Sequence, residues 1–302
     1  MKEPTFSGDR LELLQTFVRI VESGSLSAAA EHLDTTQPTI SRRLQALERL
    51  FGVRLLQRST HALKLTADGE RCLRLVRSLI DEWESLQEEL RGAHADPVGT
   101  LKVLVPHAFG QAQLVEPLAA CLRAFPRLNV EWLLHDRRPD FVGESIDCAI
   151  QVGAVDDPGV VAVPLFDVPR IVIGAPQLLE GRKAVRQPAA LQELPWLALQ
   201  TYYRDRVVLH KGDHSEAFAI RPRLSTDSLY ALRSAALAGL GVGIVSAWIV
   251  EDDLRAGRLV HLVPQWSAPP LPVHLVYPHA RFYPARLRRF LEIVKAYAKA
   301  RT

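Results

Sequence analysis

The 302-residue sequence has few of the features that mark secreted, disulfide-bonded or membrane-inserted proteins. Its three cysteines, Cys72, Cys121 and Cys148, form no C-x-x-C pair, which disfavours a disulfide scaffold or a zinc ribbon and suits a reducing cytosol. No apolar stretch follows the first methionine, so no signal peptide is expected. The longest uncharged run, between Arg233 and Glu251, contains three glycines and two serines, which is typical of helix, turn and strand. A cytoplasmic protein without structural zinc or a membrane partner is therefore expected.

Short motifs of the common enzyme classes are also missing. The sequence has no G-x-S-x-G, H-E-x-x-H or G-x-x-x-x-G-K-[ST]. The glycines from Gly239 to Gly243 lack the spacing of a dinucleotide loop and come at the end of a predicted helix. His210 and His214 are four residues apart, but Gly212 between them predicts a loop and disfavours a metal site. These absences predict that the chain is not an enzyme and has no cofactor and no metal.

Charge is unevenly distributed, although the net charge of +3 is too small to indicate a partner. Six basic residues lie between Thr36 and Lys64, with Glu48 as the single acid. An acidic stretch follows from Asp81 to Glu89. A compact basic block beside an acidic helix fits the electrostatic footprint of a protein that binds a polyanion. The basic residues after position 280 instead flank apolar residues at helical spacing, which predicts the solvated face of a terminal helix.

The first sixty residues predict three short helices followed by two short strands. The first helix ends at Gly24, and Ser27 is the expected N-cap of the second. The third begins at Thr36 or Gln37 and has Pro38 in its first turn, where a missing N–H matters little. Val53 to Leu56 and Thr60 to Leu65 are predicted as two short strands that would form a wing.

The third helix divides into an apolar and a polar face. At about 100° per residue, one face collects Ile40, Leu44, Leu47 and Phe51. The other face carries amides, hydroxyls and guanidiniums, which belong to Gln37, Thr39, Ser41, Arg42, Gln45 and Arg49. A recognition helix needs this division, because one face packs while the other contacts base edges and phosphates. By itself the pattern also fits helical proteins that never bind DNA.

More than a dozen positions at fixed spacing carry a family resemblance. They include Leu14-x-x-Phe17, Glu22-Ser23-Gly24-Ser25-Leu26-Ser27-x-Ala29-Ala30, Thr36-Gln37-Pro38-Thr39-Ile40-Ser41, Phe51-Gly52-Val53-Arg54 and Leu65-Thr66-x-x-Gly69. This pattern resembles the winged helix-turn-helix of LysR-type transcriptional regulators. It departs from the family at Thr36, at Leu56 and at the wing tip, where His61-Ala62 is less basic than in relatives. The DNA-contacting residues that the resemblance implies are Ser27, Thr36, Gln37, Pro38, Thr39, Ser41, Arg42, Arg43, Arg58 and His61.

A heptad seam follows the wing. Its apolar positions are Cys72, Val76, Leu79, Trp83, Leu86 and Leu90. A helix that buries only a seam needs a partner, and a second copy of the chain is the simplest one. We therefore predict dimerisation through Val76, Leu79, Trp83, Leu86 and Leu90, with packing against the wing or the next domain as the alternative. Cys72 is interpreted as a small apolar seam residue rather than a redox sensor.

Strands and helices alternate through the remaining two hundred residues, which predicts α/β sheets that are covered on both faces. Predicted helices run from Ala112 to Ala124, Pro139 to Glu144, Ser228 to Ala238, Ala247 to Ala256 and Pro284 to Lys299. Predicted strands run from Leu101 to Val105, Leu128 to Leu134, Cys148 to Val152, Val160 to Leu165, Ile171 to Ile173, Trp196 to Leu199, Arg221 to Leu224, Val242 to Val245, Leu259 to Val263 and Val273 to Tyr277.

This portion resembles the effector-binding domain of the same family, which has two lobes similar to periplasmic binding proteins. The resemblance is most specific from Asp136 to Gly153 and from Gly239 to Val245, with Ser246 in place of an expected proline. The predicted fold class is α+β, multidomain. Its predicted parts are a winged helix-turn-helix at 1–66, a linker helix at 67–93, a hinge at 94–99 and an effector-binding domain at 100–302, with lobe I at 100–165 and 267–302 and lobe II at 166–266.

An effector site is expected where strands end and helices begin. The backbone N–H groups of His107-Ala108-Phe109-Gly110 could hold an anion, and Ser225-Thr226-Asp227 opens the second-lobe helix in the same manner. Thr226 and Asp227 also fit a simple role as helix caps. The predicted effector contacts are His107, Phe109, His135, Gln151, Gly153, Thr201, Tyr202, Thr226 and Asp227.

The function predicted from the residues and the resemblance is sequence-specific, effector-controlled regulation of transcription. Expected partners are double-stranded DNA, a small-molecule effector, further copies of the chain as a homodimer or homotetramer, and RNA polymerase. The alternative is a small-molecule sensor without a specific operator. The residues do not identify the effector.

Overall fold

The chain folds into two units. The computed structural model describes residues 10–58, 63–90, 96–181 and 185–300. The first unit comprises the chain up to Pro97 with Val142–Ser145 and Ala280–Ala285, and the second comprises Val98–Phe141, Ile146–His279 and the chain from Arg286 onward. Within the described ranges, no helix is both long and apolar enough to cross a membrane.

Three helices, a two-stranded ribbon and a long helix make up the first unit. They are α1 Arg10–Ser23, α2 Leu26–His32, α3 Gln37–Phe51, β1 Leu56–Arg58, β2 Leu63–Leu65 and α4 Ala67–Leu90. The apolar sides of the helices meet in a core whose fully buried members include Phe17, Ile20, Ile40 and Leu47. The two strands pair antiparallel, with Leu56 opposite Leu65. The three predicted helices and a two-stranded wing are thus present in the described residues, although the first strand begins at Leu56, where the predicted one ends.

Side-chain caps fix where two of these helices begin. Ser25 is the N-cap of α2, and its Oγ accepts a hydrogen bond from the Ala28 N–H at 3.1 Å. The expected cap, Ser27, is therefore wrong, because the helix starts two residues earlier, directly after the left-handed Gly24. At the start of α4, the Thr66 Oγ1 accepts from the Gly69 N–H at 2.9 Å and donates to the Arg54 carbonyl at 2.6 Å. This contact ties the long helix to the chain that precedes the wing.

Helices and strands alternate in the chain from position 98 onward. The helices are α5 His107–Gln111, α6 Val115–Ala124, α7 Pro188–Leu191, α8 Leu229–Leu237, α9 Glu251–Arg255 and α10 Ala285–Lys299, with 3-10 turns at Pro176–Leu179 and Ala247–Val250. The strands are β3 Gly99–Val105, β4 Leu128–Leu134, β5 Cys148–Val152, β6 Val160–Gly174, β7 Trp196–Leu199, β8 Arg206–Lys211, β9 His214–Ala219, β10 Pro222–Thr226, β11 Gly243–Ser246, β12 Val260–Leu262 and β13 Ala268–Pro278.

Two long strands connect the two lobes of this domain. β6 and β13 lie antiparallel in a seven-stranded sheet of order β11-β6-β13-β5-β3-β4, in which β12 also pairs with β6. The first part of β6 pairs with β13, which in turn pairs with β5 of the parallel strands β3, β4 and β5. The last part of β6 pairs with β11 and β12. A separate parallel pair, β7 and β10, belongs to the second lobe. The crossings predicted near Leu165 and near Trp266 to Pro270 fall on or beside these two strands.

Several predicted elements differ from those in the structure. The segment from Pro139 to Glu144 is an irregular stretch and a turn, because Gly143 and the left-handed Ser145 (φ 54°) do not continue a helix. The helix predicted from Ala112 to Ala124 begins three residues later, as α6 at Val115, with Pro117 in its first turn, where proline is tolerated. The short α5 that precedes it was not predicted. A hairpin, β8 and β9, was not predicted; its turn contains Gly212 at φ 55°.

Two further differences concern continuity. The strands predicted from Val160 to Leu165 and from Ile171 to Ile173 are one strand, β6. The strand contains Pro164 and Pro169, and among the described residues it has only β13 beside it until Arg170, so its unpaired edge accommodates both prolines. The helix predicted from Ala247 to Ala256 is a 3-10 turn followed by the short α9.

One buried ion cluster holds the second lobe together. The side chain of Asp253 in α9 is fully buried and accepts hydrogen bonds from Arg233 Nε at 2.5 Å and Arg258 Nη2 at 2.6 Å. Burial raises the pKa of Asp253, but the two guanidiniums lower it more, so the net pKa is lowered. The carboxylate thus joins α8 and α9 to the start of β12.

All three cysteines are free thiols. Burial raises the pKa of Cys72, Cys121 and Cys148, and the neighbouring Asp147 and Cys121 raise that of Cys148 further. Cys72 is partly buried against the core of the first unit. A raised pKa keeps the thiol protonated, which suits an apolar packing role rather than a reactive thiolate.

Candidate DNA interface and effector cleft

Helix α3 presents one polar, solvent-facing side. Ile40, Leu44 and Leu47 are buried beneath it. Gln37 and Arg42 are exposed on the other side, together with Pro38, Gln45 and Arg49, while Thr39 and Ser41 are partly buried. The Arg42 Nε donates to the Pro38 carbonyl at 3.4 Å, and Thr36 and Thr39 join their hydroxyls at 2.9 Å. The N-terminal turns of the helix therefore offer amide, hydroxyl and guanidinium groups from a rigid apolar base.

Two predicted features of α3 differ in detail. Phe51 was expected on the packing face but is 45% exposed, because it lies one turn beyond the last buried residue, Leu47, at the end of the helix. The guanidinium of Arg43 forms an ion pair with Glu12 of α1. Arg43 thus has a partner within its own unit, although its position on the helix made it a candidate DNA contact.

A carboxylate near the end of α3 connects this helix to the wing. Glu48 Oε1 accepts hydrogen bonds from the Leu55 N–H at 2.8 Å and the Leu56 N–H at 3.3 Å, so the end of α3 fixes the start of β1. Arg58 is the last residue of β1, but its side chain lies outside the described residues, as does His61. Ser27 is exposed in the first turn of α2. Their predicted DNA contacts remain predictions.

Helix α4 buries part of its heptad seam and exposes the rest. Val76 is 5% exposed and packs in the core of its own unit, which leaves it little surface for a partner. Leu79, Trp83 and Leu86 are exposed large apolar side chains, and the side chain of Leu90 lies outside the described residues. Packing within the unit therefore accounts for Val76, whereas dimerisation through the exposed positions stays a prediction.

A cleft lies at the carboxyl ends of β3, β4, β7 and β10 in the second unit. That is where an open α/β sheet is expected to bind a ligand. Residues from both lobes line it, namely Pro106, Ala108, Phe109, Asp136, Val152, Val168, Arg170, Leu199, Thr201, Tyr202, Asp227, Leu229, Ile244, Ser246 and Leu271. Most of these side chains are apolar, and a few polar groups converge among them, which is the kind of lining that small-molecule sites have. The enclosed space is about 30 Å³, which holds only about one or two water molecules in this conformation.

Two known protein families match this chain, one over the region that contains α3 and one over the domain that contains the cleft. Residues 11–70 match the family described as bacterial regulatory helix-turn-helix protein, lysR family, and residues 94–299 match the LysR substrate binding domain. The chain belongs to the LysR family of transcriptional regulators. This LysR-type regulator is thus a DNA-binding protein with an effector-binding domain, not an enzyme.

Individual relatives resemble the chain over nearly its whole length. The transcriptional regulator PtxR of Pseudomonas aeruginosa is 30% identical over 94% of this chain and 92% of its own. The transcriptional activator TtdR of Escherichia coli is 29% identical over 95% and 93%. The solved structure of CrgA, a LysR-type regulator from Neisseria meningitidis, is 28% identical, has a TM-score of 0.59 and covers 96% of this chain and 99% of its own. The predicted fold class is confirmed.

Four of the nine predicted effector contacts of the LysR-type regulator line the cleft. They are Phe109, Thr201, Tyr202 and Asp227. Tyr202 is partly buried, and burial together with the nearby Asp136 raises its pKa to about 12, although Arg170 acts in the opposite direction. Tyr202 is therefore a neutral phenol at physiological pH.

The other five predicted contacts lie outside the cleft lining and have partners of their own. His107 Nδ1 and Asp136 Oδ2 are 2.9 Å apart, and the His135 ring stands edge-on to the His107 ring with centroids 6.0 Å apart. Gln151 Nε2 donates to the Ala154 carbonyl at 2.9 Å. Gly153 donates its N–H to the Pro272 carbonyl at 2.8 Å.

Thr226 acts as a local cap. Its Oγ1 accepts from the Ser228 N–H at 3.1 Å, and Ser228 in turn is the N-cap of α8. At the other predicted helix start, α5 is only five residues long, and its Gly110 N–H is bonded to the Pro106 carbonyl. The hypothesis that these two helix starts hold an anion therefore receives no support from their contacts.

The sequence did not predict that Arg170 and Asp136 line the cleft, nor that most of its apolar residues do. It noted Ser246 only as a departure from an expected proline. Ser246 is the last residue of β11, is buried, lies opposite Arg170 on β6 and lines the cleft. The departure thus places a hydroxyl-bearing residue beside the ligand space, and the signal that could have identified it was the departure itself.

Proposed function

We propose that the regulator binds its operator as a homodimer, with α3 of each copy in successive major grooves. The exposed polar side of α3 above buried Ile40, Leu44 and Leu47 is the observation that carries this proposal. Gln37, Ser41 and Arg42 would read base edges, and Arg58 with His61 on the wing would contact the phosphate backbone. Thr39 would also face the major groove, with Arg43 nearby, and Ser27, Thr36 and Pro38 would contact the adjacent phosphate backbone.

The exposed turns of α4 support the proposed dimer. Leu79, Trp83 and Leu86 leave an apolar stripe in water within the described part of the helix, and a second copy would cover it. A two-fold dimer also matches the two halves of a near-palindromic site. In the proposed mechanism, effector binding between the lobes alters how the dimers associate into tetramers, which changes DNA bending and the access of RNA polymerase in the cytoplasm.

The test is Arg42→Ala in the full-length protein. Titration onto the DNA upstream of its own coding region should show specific binding weakened by about 1–3 kcal/mol, because a contact to base edges is lost. Arg19→Ala is the charge-matched control, since Arg19 is exposed on α1 and pairs only with Glu22 among the described residues. Its affinity should stay near that of the unmodified protein.

Fluorescence anisotropy with the specific duplex and with a scrambled duplex separates the contributions. Loss of discrimination between the two duplexes in Arg42→Ala supports the proposal. If Arg42→Ala changes neither affinity nor sequence preference, α3 is not the recognition helix. If the unmodified protein itself does not distinguish the duplexes, the alternative of a sensor without a specific operator is favoured.

A further inference from the structure

Arg170 differs in charge from the other residues that line the cleft. It is the only basic residue among the described residues that line it, and it lies on β6 where the strand begins to pair with the second lobe. Its backbone is paired with Ser246 on one side and Ala268 on the other. The side chain is therefore carried by the part of the domain that both lobes share.

The guanidinium is held in place at one nitrogen. Arg170 Nε donates to the Pro269 carbonyl at 2.7 Å, and its central carbon lies 6.0 Å from the centroid of the Tyr202 ring. In the described part of the chain, no carboxylate lies within ion-pair distance of Arg170. Among the described residues, the two terminal nitrogens therefore have no hydrogen-bond or ion-pair partner and can bind a ligand.

A partly buried cation without a counter-ion is unfavourable. Burial lowers the pKa of Arg170, which shows that the surroundings disfavour its charge, although an arginine remains protonated under physiological conditions. An anion in the cleft would offset this desolvation. The planar fork of a guanidinium matches the two oxygens of one carboxylate.

The rest of the cleft limits what the anion can be. Phe109, Val152, Leu199 and Leu271 contribute apolar walls. Asp136 and Asp227 also line the cleft, so a ligand with two negative charges would be repelled by two carboxylates and attracted by one guanidinium. A single negative charge on an apolar body fits this lining.

We propose that the effector is an apolar monocarboxylate whose carboxylate binds the terminal nitrogens of Arg170 and whose body packs against Phe109 and Leu271. This inference rests on the effector-binding role of the domain and specifies the chemical class of the effector. By the same argument, phosphate and other dianions should bind more weakly. The lobes must separate to admit a ligand of this size, because the cleft as it stands encloses only about 30 Å³.

The experiment titrates the full-length protein, without DNA, with benzoate, phenylacetate and hexanoate and with the primary amide of each. Inorganic phosphate and acetate serve as small anions. Isothermal titration calorimetry should detect at least one of the three carboxylates, with its amide bound at least tenfold more weakly. Arg170→Gln should weaken that carboxylate at least tenfold and leave its amide unchanged, because only the charge-assisted pair is lost.

Arg204→Gln is the matched control. Arg204 also donates its Nε to a backbone carbonyl, that of Gln200 at 3.3 Å, but it is exposed and does not line the cleft. It should bind the carboxylate as the unmodified protein does. Arg170→Lys keeps the charge without the fork and provides a second variant if Arg170→Gln does not fold; it should bind the carboxylate more weakly than the unmodified protein.

Several outcomes overturn the proposal. Amides that bind as tightly as their acids, phosphate that binds more tightly than all three carboxylates, a panel in which no carboxylate binds, or Arg170 variants with unaltered affinity would each do so. Because no DNA is present, the result is independent of the recognition helix. A carboxylate that binds through Arg170 while Arg42→Ala leaves DNA binding unchanged would overturn only the assignment of α3.

Discussion

The two candidate sites of this regulator are built in opposite ways. The candidate DNA-contacting groups of the first unit lie on consecutive turns of one helix, α3, from Gln37 to Arg49. The cleft residues of the second unit come from separate strands and turns spread from Pro106 to Leu271. A surface on one helix requires only that the helix forms and packs, whereas a cleft requires that many distant segments reach their places together.

The supports of the two sites differ accordingly. The first unit relies on a few close local contacts, such as the Glu48 carboxylate on the N–H groups at the start of β1. The second relies on contacts across the fold, such as the Tyr203 hydroxyl between two strands and the Asp253 carboxylate between helices. Substitutions at these supports therefore test whether each site depends on local or on distant structure.

The largest effect is expected from Gly69→Ala in α4. A Cβ at Gly69 would lie 2.0 Å from the Leu55 backbone oxygen, and neither backbone can move without disturbing the Thr66 cap or the start of the wing. We expect the free energy of unfolding of the first unit to fall by about 3 kcal/mol. Hydrogen exchange of the full-length protein should show faster exchange across α1 to α3 together with lost DNA binding.

Gly24→Ala is the control for that substitution. Gly24 has φ 68° but no heavy atom within 4 Å of an added Cβ, so only backbone strain of about 1 kcal/mol is expected. The four tryptophans of the second unit, Trp132, Trp196, Trp248 and Trp266, should unfold as in the unmodified protein in both variants. If Gly69→Ala leaves exchange in α1 to α3 unchanged, the close approach to Leu55 is not a support of the recognition helix.

The same contrast explains how much the sequence predicted. Periodicity located the buried and exposed sides of α3 because both depend on residues three or four positions apart. It did not show that Arg43 pairs with Glu12, since that partner lies on another helix 31 positions away. Phe51 was misplaced because periodicity does not indicate where the supporting core ends.

In the second unit, the rule that ligands bind at strand ends indicated the edge of the sheets where the cleft lies, but not which side chains turn into the cleft. It selected His107 and Gln151, which turn to local partners, together with Phe109 and Tyr202, which line the cleft. Arg170 was missed because it lies within a strand that the sequence pattern divided into two. Only the pairing of β6 with both lobes brings it to the cleft.

The second expected effect concerns the buried Asp253. Asp253→Ala would leave Arg233 and Arg258 without their shared carboxylate, and both guanidiniums remain partly exposed to water. We therefore expect a loss of about 2 kcal/mol, below the range for a fully buried pair. Urea unfolding followed by tryptophan fluorescence measures it, because four of the five tryptophans lie in the second unit.

The pH dependence of this effect has a definite sign. The pKa of Asp253 is lowered in the folded protein, so its stabilising contribution is present above the unfolded-state pKa of about 3.9 and is lost as pH falls through the folded value. The difference between Asp253→Ala and the unmodified protein should therefore be full at neutral pH and shrink in acid. Asp252→Ala is the control, since Asp252 is 81% exposed and should change stability little. A difference that grows in acid would contradict the assignment.

The smallest effect separates two adjacent tyrosines. The buried Tyr203 hydroxyl donates to the Leu197 carbonyl at 2.9 Å and accepts from the Ile244 N–H at 2.8 Å, so Tyr203→Phe should lower the free energy of unfolding by about 1.5 kcal/mol. Tyr202 lines the cleft, and no hydrogen bond of its hydroxyl occurs among the described residues, so Tyr202→Phe should leave stability nearly unchanged. Urea unfolding of both variants makes the comparison. If both variants lose the same free energy of unfolding, the residues that support the cleft and those that line it are not distinct. The contrast between the two units would then be wrong.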